Sequence, residues 1–184
     1  MKLSSIRYHS SQYLLFDWVL IKVTGADRET FFQGQVTNDL SLLKESQGQL
    51  TARLNRVGKL QSFFFIAKFF DHLYLLCPEA IVLEIKEDFE KYIIMDDVIL
   101  EIEKRPLWLQ FNSFLNTPKN VEPYFDFNFY GLNARLVFRK EENLILTDEI
   151  ELEEIRILNG WPKWGEDVDR EQFINDSILN DLAI

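Results

Sequence analysis

One cysteine and two histidines in 184 residues leave little material for several common chemistries. Cys77 has no second cysteine to pair with. That excludes an intramolecular disulfide and a Cys-x-x-Cys metal or redox pair, and it fits a cytoplasmic location. His9 lies in a polar Tyr-His-Ser-Ser stretch and His72 in an Asp-His turn. Histidines so far apart are a poor start for a metal site or a triad, and both read as surface residues. No Gly-x-Gly-x-x-Gly, Walker loop, Gly-x-Ser-x-Gly or His-Glu-x-x-His occurs, nor any solenoid-length repeat. No apolar run has the length of a signal-peptide core or a membrane span, so a soluble protein with no membrane partner is expected. Basic residues are also in deficit: 20 Lys and Arg against 30 Asp and Glu give a formal charge of −10. Such a chain repels a phosphate backbone, and Lys104-Arg105 is too short to make a basic patch, so no direct nucleic-acid binding is expected.

What is abundant is phenylalanine, sixteen residues in a chain that is 47% hydrophobic. A chain of this length can bury its own core, and some of these rings are expected to line a pocket. Residues 13–23 read as one strand ending at Thr24-Gly25, followed by a short helix with Phe31 and Phe32 inward and a loose Thr24/Asp27 capping box. Thr37, Asn38 and Asp39 suit the head of a second turn. Strands over 49–55 and 59–70 form a hairpin around Gly58, with a third strand over 72–77. A helix within 78–95 carries Ile81, Ile85 and Phe89 at helical spacing, and a strand over 98–103 follows. The aspartates between them, Asp96 and Asp97, read as a solvated turn. Further strands are expected over 107–111 and as a hairpin of 132–138 with 143–147. Phe125, Phe127 and Phe129 suit either an edge strand or an aromatic wall. Residues 148–160 form a capped helix closing on Gly160. The pattern is α+β, antiparallel sheets with covering helices, divided as 1–103 and 104–184. The abrupt end at DLAI suggests a chain cut or shortened there.

One stretch stands apart. WVLIKVTGADRETFFQGQVTNDLS (18–41) crowds neutral hydrogen-bonding side chains into a few positions. A strand, Thr-Gly-Ala-Asp, an aromatic helix and Gln-Gly-Gln-x-Thr-x-Asp in this order resemble the YgfZ group of folate-binding proteins, relatives of the glycine-cleavage aminomethyltransferase. VGKLQS (57–62), EDFEKYIIMDDVILE (87–101), LILTDE (144–149) and the segments 155–168 and 171–182 fall in register with the same family. The resemblance implies the aminomethyltransferase folate-binding fold without its C-terminal barrel. It also implies a bound tetrahydrofolate or one-carbon-substituted folate, and a role in maintaining iron–sulfur client proteins, one of which modifies tRNA. By the same resemblance Gln33, Gln35 and Asn38 hold the ligand, with Gln61 and Trp161 as weaker candidates. A flat pterin studded with donors and acceptors suits such neutral groups, whereas a turn capped by its own side chains explains Thr37 and Asp39 better.

The departures from the family concern catalysis. Gln61 and Ser62 stand where the aminomethyltransferases carry a carboxylate, and Leu158 stands where they carry Glu. An amide cannot do a carboxylate's proton-transfer work, so no catalytic residue is assigned. The Lys-Gly-Cys motif of the YgfZ group is expected just beyond Ile184, and Cys77, ending an apolar strand, reads as a buried inert thiol. Two alternatives stay open: a tetrahydrofolate-dependent aminomethyltransferase using Asp39, and a ligand-free interaction module.

Overall fold

The computed structural model describes residues 10–112, 123–176 and 179–183. In chain order its strands are β1 (Ser11–Leu14), β2 (Trp18–Thr24), β3 (Gln47–Leu54), β4 (Leu60–Lys68), β5 (Leu73–Pro78), β6 (Ile99–Glu103), β7 (Trp108–Phe111), β8 (Phe125–Phe129), β9 (Leu132–Val137) and β10 (Ile145–Leu146). The helices are α1 (Arg28–Gln33), α2 (Val82–Glu90), α3 (Glu149–Leu158) and α4 (Leu179–Leu182).

The chain divides into two units, one joining residues up to Phe16 with Arg105–Trp161, the other joining Asp17–Lys104 with residues from Pro162 onward. Each unit therefore borrows one end of the chain, unlike the two consecutive halves read from the sequence. The cause is visible at residues 15–17, where the single strand expected over 13–23 breaks in two. Leu15 N–H donates to the Leu107 carbonyl at 2.8 Å, while the Asp17 carbonyl accepts from Glu79 N at 2.8 Å. These bonds commit the backbone to different units on either side of Phe16.

In the unit built on residues 17–104 the strand order is β3-β4-β5-β2-β6, every neighbour antiparallel. Alternation sends Ile21, Val23, Phe64, Ile66, Leu73, Leu75 and Cys77 to one face, where Phe31 and Phe32 of α1 and Phe89 of α2 close over them. The Phe32 and Phe89 rings meet at 4.7 Å, and Phe64 meets Phe89 edge-on at 5.8 Å. These rings fill a core instead of lining a pocket. Helix α2 is shorter than expected, ending at Glu90 and leaving Tyr92 half exposed.

Two readings of polar residues are corrected here. His72 is buried, its ring stacked on Phe69 at 4.8 Å and edge-on to Tyr74 at 4.6 Å, with Nδ1 2.6 Å from Asp71 Oδ1. His9 lies outside the described residues. Asp97 is exposed yet not merely solvated: its N–H donates to Asp27 Oδ2 at 2.8 Å, its own Oδ2 accepts from Ala26 N at 2.9 Å, and its carbonyl accepts from Asp27 N at 3.2 Å. Asp27 is accordingly drawn away from capping α1, and no side-chain cap forms there.

The other unit has the order β10-β1-β7-β9-β8. Phe125, Phe127 and Phe129 are buried on strand β8, so they form neither the edge strand nor the aromatic wall that the sequence suggested. The hairpin expected between 132–138 and 143–147 is absent. Strand β9 already has β7 and β8 on its two sides, and β10 pairs instead with β1, in parallel, Ser11 opposite Ile145. The sheet is therefore mixed. Asp148 caps α3 by accepting from Glu151 N at 2.8 Å, and Gly160 follows that helix at φ 71°.

Candidate functional site

The amide-rich turn is built from α1 and fastened to β3. Gly34 ends α1 with ordinary helical dihedrals, and the Gln35 and Val36 N–H groups return to the Phe32 carbonyl. Thr37 then docks on β3: its N–H donates to the Ala52 carbonyl at 2.9 Å, and Ala52 N–H donates to Thr37 Oγ1 at 3.0 Å. Asn38 N–H reaches Thr51 Oγ1 at 3.3 Å. Because both backbone groups of Ala52 are taken by Thr37, the turn runs along the side of β3 away from β4.

The five sequence candidates separate by what their side chains already do. Gln33 Oε1 accepts from Leu40 N at 2.7 Å, and the same amide supports the Asp39 carboxylate. Asn38, with its nitrogen turned toward two carbonyls, donates to Ala183 at 2.5 Å and Leu50 at 3.2 Å. Both amides are thus spent on the backbone. Gln35 is half-buried, and its side chain makes no hydrogen bond among the described residues. Gln61, half-buried on β4, is in the same state and lies across β3 from the turn, on the sheet face that also carries Phe63 and Phe65. Trp161 belongs to the other unit, where it is buried, edge-on to Tyr130 at 5.7 Å. Its N–H donates to the Arg156 carbonyl, and its own carbonyl accepts from the Arg156 guanidinium, so it closes the end of α3.

Asp39 caps a 3-10 turn over Leu40–Leu42. Hydrogen bonds from the Ser41 hydroxyl and backbone N–H, and more weakly from Gln33, hold its carboxyl below the usual carboxylate range. A carboxylate stabilised in this way is a poor proton acceptor near neutrality, which works against Asp39 as a catalytic base. Ser62 is buried and Leu158 is exposed.

Thr51 and Arg53, which sequence reasoning passed over, underlie the turn. Both are buried on the face of β3 that meets the apolar core. The Arg53 guanidinium lies over Phe89 at 4.4 Å and Tyr92 at 4.8 Å, and burial lowers its pKa against the opposing pull of Asp88. The signal was available in LTARL, where polar residues occupy the positions that alternation assigns to the core. No cluster of three or more His, Cys, Asp or Glu placed to hold a metal occurs among the described residues. No helix among them is long and apolar enough to cross a membrane.

Neutral amides are the chemistry that a pterin edge would meet: Gln35 is half-buried and uncommitted on the turn that carries the satisfied Asp39 carboxylate, and Gln61 is half-buried and uncommitted on β4. The chain matches no family model. It is 30% identical over 129 residues to the tRNA-modifying protein YgfZ of Hamiltonella defensa, a match covering 65% of this chain and 38% of that protein. It is 42% identical over 59 residues to the tRNA-modifying proteins YgfZ of Shigella boydii and Escherichia coli, covering 32% of this chain and 18% of those. Among solved structures it resembles the glycine cleavage system aminomethyltransferase T of Bartonella henselae with a TM-score of 0.79 and 13% identity, over 96% of this chain and 58% of that one. The chain spans less than two thirds of each.

Proposed function

We propose, for a chain that is a distant homologue of the YgfZ tRNA-modifying proteins over part of its length and has the aminomethyltransferase fold, that it binds a reduced folate and does no aminomethyl transfer. The observation that carries this reading is the uncommitted, half-buried amide of Gln35 on a turn otherwise fully tied down. An amide paired to nothing internal loses little on meeting a ring edge, and a rigid turn presents it without an ordering cost. Gln61 is the second uncommitted amide and takes another part of the same ligand. A tetrahydrofolate, when bound, supplies the one-carbon chemistry; the chain's own residues orient it and leave no basic carboxylate beside it.

Through the bound folate the chain assists maintenance of iron–sulfur enzymes and thereby tRNA modification, acting in the cytoplasm on protein clients. The formal charge of −10 supports a protein client over tRNA itself. Thermal unfolding with increasing tetrahydrofolate or 5-formyltetrahydrofolate tests the binding step. A midpoint rising with the logarithm of folate concentration, with the rise displaced to higher concentration in Gln61→Ala, is expected. A midpoint indifferent to folate favours the ligand-free interaction module instead.

A further inference from the structure

The Ala183 carbonyl accepts from two side chains of the amide turn at once. Thr37 Oγ1 donates to it across 146 positions of sequence, and the Asn38 side-chain amide faces it at 2.5 Å, where the carbonyl acceptor assigns the facing atom as Nδ2, a donor. The segment is seated firmly: Leu179 and Ala183 are both fully buried, and the Ala183 N–H closes back on the Leu179 carbonyl at 2.8 Å. An amide carbonyl presents the same acceptor as the ring carbonyl of a pterin. Asn38 cannot serve both, because its nitrogen already divides two protons between Ala183 and Leu50.

We propose that Leu179–Ala183 is a self-ligand of the folate site: the Ala183 carbonyl occupies the Thr37 and Asn38 donors and must withdraw before a folate ring edge can use them. The inference rests on the folate reading given above. It makes folate affinity depend on how often the segment is released, since ligand sees only the fraction of molecules in the competent state. It also accounts for an Asn38 amide that is spent internally yet resembles a ligand-binding position. Anything that draws the segment away, including a client protein that grips it, raises folate affinity by the same factor.

The test loosens the anchor without touching the turn. Folate binding is titrated calorimetrically with 5-formyltetrahydrofolate on the unaltered chain and on Leu179→Ser. Exchange of the Ala183 amide is followed in the unaltered chain with and without saturating ligand. Affinity about tenfold tighter in Leu179→Ser, with faster exchange at Ala183 on ligand binding, is expected. Binding seen only in the variant carries the same conclusion more strongly. Equal or weaker affinity in the variant overturns the self-ligand and leaves the folate reading standing. If Leu179→Ser does not fold, slower or unchanged exchange at Ala183 with ligand bound overturns it alone. Binding by neither protein removes the folate reading and the self-ligand with it.

Discussion

Replacing Gly25 by Ala separates the architecture of the Thr-Gly-Ala-Asp turn from its sequence. Gly25 has φ 107°, and a Cβ built on it lies 2.0 Å from the Asp97 carbonyl oxygen and 2.6 Å from its carbon. The obstacle is backbone, so it cannot rotate aside. Left-handed backbone alone costs an L-residue about 1–2 kcal/mol. Relieving the overlap also separates the Gly25–Asp27 turn from Asp97, where the Asp27 N to Asp97 carbonyl bond and two side-chain bonds are at stake. Such bonds contribute about 0.5–1.5 kcal/mol each, the exposed ones at the low end. The total is about 3–5 kcal/mol, a large share of the ~5–15 kcal/mol typical of a domain. The control is Gly34→Ala, whose Cβ would meet nothing closer than the Phe31 carbonyl at 3.6 Å, without positive φ. There the reduced freedom of the unfolded chain stabilises by about 0.4–1 kcal/mol. Urea unfolding of both variants checks the pair. A Gly25→Ala protein within about 1 kcal/mol of the parent, or no less stable than Gly34→Ala, would refute the clasp.

Three further outcomes follow from particular side chains. Asn38→Ala, which takes one donor from the Leu50 carbonyl and one of two from the Ala183 carbonyl, costs about 1–3 kcal/mol in urea unfolding, whereas Gln35→Ala stays within about 0.5 kcal/mol of the parent. The hydrogen bond from His72 is the main cause holding the Asp71 carboxyl below the usual range. A depressed carboxylate pKa adds stability above its unfolded pKa and loses it as pH falls through the lowered one. Carboxyl titration by NMR should show Asp71 returning to the ordinary range in His72→Phe, which keeps the stack on Phe69 and removes that bond. Cys77 is fully buried, and burial pushes its thiol pKa well up. A chromogenic disulfide reagent should therefore leave it unmodified until urea unfolds the chain, and rapid labelling of the native protein would contradict its placement.

The local signals in this sequence were strong where chain geometry is set by neighbours in sequence. Gly58 marked the β3–β4 hairpin and takes φ 84° there, and Asp148 with Gly160 bracketed α3. Ile81, Ile85 and Phe89 marked the buried stripe beginning at the turn before α2. The signals failed where a distant partner decides. Nothing near Leu15 announces that its N–H is claimed by Leu107, and nothing in 132–147 announces that β10 belongs beside β1. His72 looked exposed because a histidine beside Asp71 in a turn usually is, but Phe69 and Tyr74 fold back over its ring. The site was legible in the same divided way. The crowding of amides at residues 33–38 is visible in one line of sequence. Which of them is spent on Leu40, Leu50 or Ala183 depends on contacts that sequence spacing does not encode.

The most direct test is a calorimetric titration of the parent chain and Gln35→Ala with 5-formyltetrahydrofolate. The account predicts micromolar binding by the parent and affinity about tenfold weaker in a variant that is equally stable, since one lost hydrogen bond to a ligand amounts to ~1.4 kcal/mol. Identical affinities would show that the uncommitted amide of Gln35 does not meet the ligand, and no binding by the folded parent would contradict the folate reading itself.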